Sequence, residues 1–164
     1  MTTNRVEIAL AYFFNPRINL IVPRVDWGLS CIFHECDLLI LSKAGYATEV
    51  EIKVSLSDIK KDLQKRHNHI DKPFFAGQKH AIKRLYFAVP ERHKESEYIP
   101  KHTGIITFTD NLKLLPSIQI YRKSPIHSKY KWSEKERYDL ARLGALRIWD
   151  IKKKLITNSL NQSG

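Results

Sequence analysis

The side chains with the most chemistry to offer are Asp37, Glu51 and Lys53, the last two separated by one isoleucine. Carboxylate oxygens are hard donors, and two of them brought to one point select Mg²⁺ or Mn²⁺ over softer metals. A lysine beside them adds a compact positive charge. Each residue also has an ordinary explanation. Glu51 and Lys53 belong to Ala47-Thr-Glu-Val-Glu-Ile-Lys-Val54, where apolar and charged residues alternate as in any strand with one wet face. Asp37 is harder to dismiss. It precedes Leu38-Leu39-Ile40-Leu41, apolar on both faces like a buried strand, where an unpaired charge is expensive.

The elements that must position these residues can be read from the chain. Ser42-Lys43-Ala44-Gly45-Tyr46 is a short turn in which Gly45 can take a positive φ, so residues 35–41 and 47–54 form an antiparallel hairpin. Opposite or diagonal Cβ atoms across such a pair are about 5–8 Å apart, close enough for Asp37 and Glu51 to share one ligand if the register allows. Glu49 shares the face of Glu51 and Lys53 and has no evident task. A serine at 55 or 57 can cap a following helix that reaches Arg66, with Ile59 and Leu63 on one side and Lys60, Lys61, Lys65 and Arg66 on the other. A plain solvated helix has the same pattern, but the amide end and basic side of this one lie beside the acids, where a phosphate backbone would run.

Upstream, residues 5–14 read as a helix capped by Thr3 or Asn4 and stopped by Asn15-Pro16, with Val6, Leu10 and Phe13 or Phe14 as its apolar stripe. Glu7 lies three, four and seven residues from Leu10, Ala11 and Phe14, at the edge of that face, although an acid near a helix N-terminus is explained equally by the dipole. Residues 18–25 form an outer strand, because Pro23 lacks the donor that a central strand needs. Downstream, a loop and a short helical piece at 78–83 precede strands at 84–89 and 104–109, and 112–121 pairs as a terminal hairpin strand. Ser133 and Glu136 make a capping box for a helix to about 155, with Leu140, Leu143, Leu146, Ile148 and Ile151 facing the sheet. Arg137, Arg142, Arg147 and Lys152-Lys153-Lys154 wind around it as a solvated face. Residues 158–164 are a polar, mobile tail.

With 164 residues, 43% of them hydrophobic, the chain is expected to be one domain over residues 1–157. The 28 Lys and Arg against 17 Asp and Glu give a formal charge of +11, which favours a polyanionic partner such as nucleic acid. No apolar run approaches the roughly 18 residues of a spanning helix, and Glu7 interrupts the place where a signal peptide would turn apolar. No membrane association is expected. Cys31 and Cys36 are too few for a disulfide framework and do not match a zinc-ligand spacing; His67 and His69 lack a third ligand. A reduced, cytoplasmic setting is the expectation.

The order of helix acid Glu7, strand acid Asp37, then Glu51-Ile52-Lys53 entering a capped basic helix resembles the PD-(D/E)XK nuclease superfamily, especially its small standalone bacterial and phage members. The resemblance covers about residues 5–110. It departs from the family pattern at Cys36, where the family places a proline at a position known to be loose. It implies an α/β (α+β) fold with a restriction-endonuclease-like core, a central mixed sheet of about four to five strands flanked by helices. It also implies a Mg²⁺- or Mn²⁺-dependent deoxyribonuclease working in DNA repair, recombination or mobile-element DNA processing, as a homodimer or within a larger complex. Asp37, Glu51 and the Ile52 carbonyl would hold the metal, Lys53 would orient the attacking water or meet the developing charge, and Glu7 would join the catalytic set. Glu49, Gln64 and His67 would stand behind them. The competing expectation is a catalytically silent nucleic-acid-binding subunit that keeps the fold.

Overall fold

The turn at Gly45 forms as its residues require. Gly45 takes φ 86°, its amide donates to the Ser42 carbonyl at 2.8 Å, and the Ser42 amide donates to the Tyr46 carbonyl at 3.0 Å. The computed structural model that shows this describes residues 2–25, 29–32, 34–62, 81–110 and 114–161. In chain order the elements are α1 (Thr3–Phe13), β1 (Leu20–Val25), β2 (Cys36–Leu41), β3 (Ala47–Ile52), α2 (Leu56–Asp62), β4 (Ile82–Pro90), β5 (Gly104–Thr109), β6 (Ser117–Arg122) and α3 (Glu134–Asn161).

The fold is α+β, with one six-stranded sheet ordered β1-β2-β3-β4-β5-β6. The strands β1, β2 and β3 run antiparallel to one another, β3, β4 and β5 are parallel, and β6 returns antiparallel to β5. The sheet therefore exceeds the expected four to five strands. Pro23 does stand in an edge strand, as its missing donor requires. Residues 82 and 83 belong to β4 and not to a helical piece: Ile82 pairs with Ala47, and a register shift separates that pair from Arg84 and Thr48.

On one face of the sheet, α1 buries Val6 and Leu10 against Leu38, Ile40, Val50, Ile52, Tyr86 and Ile106. The opposite face is divided. Val22, Leu39, Leu41 and Ala47 pack under Trp132 and Leu140, while Ile59 of α2 covers Leu85, Phe87, Val89 and Ile105. Between these two apolar patches β3 presents Glu49 and Glu51, which pair in register with Leu85 and Phe87 of β4.

The capping box opens α3 as read. The Ser133 amide and hydroxyl donate to Glu136 Oε2, each at 2.7 Å, and the Glu136 amide returns a bond to Ser133 Oγ at 3.3 Å. Trp132 anchors the approach through its amide to the Gly45 carbonyl at 2.9 Å and its indole N–H to the Ala81 carbonyl at 3.0 Å. The docked stretch is shorter than expected. Leu140 is buried and Leu143 packs beside it, but Leu146, Ile148 and Ile151 are about half exposed. A helix of 28 residues spans about 42 Å, twice the length of a six-residue strand, so its C-terminal half outruns the sheet. The helix also continues through Asn161, so residues 158–161 are helical and not a tail.

Candidate metal and catalytic site

The register of the β2–β3 hairpin decides the site. Leu38 pairs with Val50 and Leu39 with Glu49, which brings Asp37 opposite Glu51 at the end of the ladder. Here the hairpin frays into chemistry: the Ile52 amide donates to Asp37 Oδ2 at 2.8 Å. Next along the chain, the Lys53 amide turns the other way and donates to the Ala88 carbonyl of β4 at 2.9 Å. A trans peptide points its C=O opposite to its N–H, so the Ile52 carbonyl emerges on the Asp37 side.

Lys53 Nζ lies 2.7 Å from Glu51 Oε2 and 3.9 Å from Asp37 Oδ2. Its ammonium is also 6.0 Å from the centre of the Phe87 ring. Glu51 and Lys53 are 4% and 6% exposed, whereas the Asp37 side chain is 34% exposed. Asp37 is thus not the buried charge its flanking leucines suggest. It is the solvent-facing carboxylate, although Cys36 and Leu38 on either side of it are buried.

Burial is the largest influence on Glu51, reinforced by Glu49 and Asp37 and opposed by Lys53, and its carboxyl is pushed up to about 8. Glu7 is half-buried on α1, and burial raises its carboxyl as well, with Arg24 opposing and Asp37 adding to the rise. Glu7 therefore falls within electrostatic reach of Asp37. Arg24 adopts φ 49°, an uncommon conformation for a side chain with a Cβ.

The donor set fits a hard divalent cation. Asp37, Glu51 and the Ile52 carbonyl offer oxygens at one strand end, and the surrounding carboxylates outnumber the single lysine. Lys53 and the Ile52 amide each hold one carboxylate oxygen, so a cation would use the oxygens those bonds leave.

No protein-family model matches this chain, and no curated protein does. Among solved structures, the chain is similar to SPO1766, a protein of unknown function from Silicibacter pomeroyi, with a TM-score of 0.61, 16% identity, and coverage of 97% of this chain and 94% of that one. The likeness shows a shared fold over nearly the full length of both.

The helix after the site is capped by Ser55, whose hydroxyl accepts the Asp58 amide at 3.2 Å and donates to the Asp58 carboxylate at 2.7 Å. Lys60 and Lys61 are exposed on α2, with Lys60 Nζ 4.7 Å from the centre of the Tyr98 ring. Gln64, Lys65, Arg66 and His67 lie outside the described residues.

Glu49 acquires partners that the linear pattern hid. His34 Nε2 lies 2.9 Å and 3.0 Å from its two carboxylate oxygens, and the buried Cys36 thiol is close by. Burial disfavours a charged imidazole at His34, yet the charge and hydrogen bond of Glu49, with Glu51 beyond, outweigh it and raise its pKa. The signal was the spacing His34-x-Cys36 entering the strand opposite Glu49, legible only once the register is known. Among the described residues, no helix is long and apolar enough to cross a membrane.

Proposed function

We propose that this protein is a metal-dependent deoxyribonuclease of the PD-(D/E)XK type. The observation that carries the reading is the convergence of Asp37, Glu51 and Lys53 at one end of the β2–β3 hairpin, with Lys53 Nζ within 2.7 Å and 3.9 Å of the two carboxylates. A helix opens three residues after Lys53 and carries the exposed Lys60 and Lys61, which supports a substrate of negative charge. The excess of basic residues across the chain supports a polyanionic substrate.

Asp37, Glu51 and the Ile52 carbonyl would hold Mg²⁺ or Mn²⁺. The bound ion supplies a water of lowered pKa and polarises the phosphoryl oxygen. Lys53 is positioned by Glu51 to orient the water or to meet the negative charge that develops at the phosphate. Glu7 contributes a further carboxylate from α1, and Glu49, held by His34, lines the floor below Glu51. Lys60 and Lys61 of α2 contact the backbone of the DNA.

The test is incubation with linear, circular, branched and single-stranded DNA in Mg²⁺, Mn²⁺ or EDTA, beside Asp37→Ala and Lys53→Ala. Cleavage by the wild type in metal, lost in EDTA and in both variants, is expected. Cleavage that persists in the variants or in EDTA would sink the mechanism. DNA binding that survives in all three proteins, with no cleavage in either metal, would instead identify a binding subunit.

A further inference from the structure

We propose that His34, Cys36 and Glu49 form a second metal site, one that takes a borderline-soft divalent cation such as Zn²⁺. His34 and Cys36 precede and open β2, Glu49 lies on the neighbouring β3, and their donor atoms all fall within 4.8 Å of one another. A tetrahedral ion bonded at zinc distances requires donors roughly 3.4–3.7 Å apart, so small side-chain rotations close the site. One thiolate, one imidazole and one carboxylate make a donor set that prefers zinc, cobalt or nickel, whereas Asp37 and Glu51 offer oxygen alone.

The surroundings favour an ion over a larger ligand. Cys36 is fully buried and Glu49 is 5% exposed, so the thiol is closed to a substrate and unsuited to serve as a nucleophile. The His34 side chain is 16% exposed and supplies the route by which a small cation enters. A carboxylate buried among Leu39, Leu85 and a thiol costs stability unless positive charge meets it, and an ion meets it more fully than an imidazole does. Binding requires Cys36 to give up its S–H proton to solvent, with the sulfur lone pair passing to the metal and His34 bound as the neutral imidazole.

The placement gives the site a role that does not depend on the identity of the reaction. Cys36 adjoins Asp37, and Glu49 is two residues from Glu51. An ion shared by Cys36 and Glu49 fixes β2 against β3 where the other acids are presented, so this second metal is a staple and not a reactant.

The experiment uses the full chain stripped with EDTA and then titrated with Co²⁺ as a spectroscopic probe and with Zn²⁺ as the stabilising ion. Co²⁺ is expected to produce a thiolate-to-cobalt charge-transfer band in the wild type, in Asp37→Asn and in Cys31→Ser, and none in Cys36→Ser. His34→Ala is expected to weaken Co²⁺ binding at least tenfold, and Zn²⁺ to raise the melting temperature of the wild type but not of Cys36→Ser. Should Cys36→Ser fail to fold, Glu49→Gln read by the same band decides, with a loss of at least tenfold expected. No charge-transfer band in the wild type, a band that survives Cys36→Ser, or one lost in Cys31→Ser would overturn the site. These outcomes are read without DNA, so their failure is separable from failure of the nuclease reading.

Discussion

At the scale of single residues, the account rests on how Glu51 and Lys53 share a buried seam. Burial raises the Glu51 carboxyl from the ordinary value of 4.5, which the unfolded chain keeps, to about 8. A raised carboxyl pKa means the folded state holds the extra proton between those values, so stability of the metal-free protein falls as pH rises from about 4.5 toward 8. Melting temperatures across that range should decline for the wild type, and the slope should flatten in Glu51→Gln. Mg²⁺ should offset the decline by favouring the ionised carboxylate, and a slope insensitive to both would refute this assignment. Glu49 shows why part of the site was hidden. It repeats the alternation of Glu51, and nothing in the sequence distinguishes an acid facing water from one met by His34 across the hairpin. Local patterns give the face a residue occupies; the partner on that face comes from register.

At the scale of elements, the hairpin was legible because its signals agreed: a glycine-containing turn, an apolar run, and alternation on the returning strand. The capping box of α3 was legible for the same reason, since serine and glutamate bond to each other's backbone and side chain within three residues. The extent of α3 docking was not, because periodicity shows which face is apolar and not where the sheet beneath it ends. Leu140→Ala, which opens a cavity under a fully buried side chain, should cost about 2–5 kcal/mol in chemical denaturation. The exposed Leu146→Ala should stay within about 0.5 kcal/mol of the wild type, and equal losses at both positions would contradict the docking described. For α2, Ser55→Ala removes the cap and should cost about 1 kcal/mol in the same measurement.

At the scale of the whole molecule, Asp37 and Glu51 meet across β2 and β3, and the helix that carries Lys60 and Lys61 opens three residues after Lys53. The six strands are those read one by one along the chain, with the outer strand and the terminal hairpin strand at the two edges; the lower count of four to five came from the family resemblance alone. DNA affinity should fall linearly with the logarithm of salt concentration, and Lys60→Ala with Lys61→Ala should reduce that slope by about 2 if both contact phosphates. An unchanged slope would place the DNA elsewhere on the surface.

The central claim is that Lys53 acts on the reaction and not on the fold or the binding. Single-turnover cleavage at saturating Mg²⁺ and DNA isolates that step. Lys53→Met should keep DNA affinity and a cooperative melt while its rate falls about 10²–10³-fold, the usual loss when one preorganised charge is removed from a transition state. A rate within twofold of the wild type, with folding and binding intact, would contradict the account.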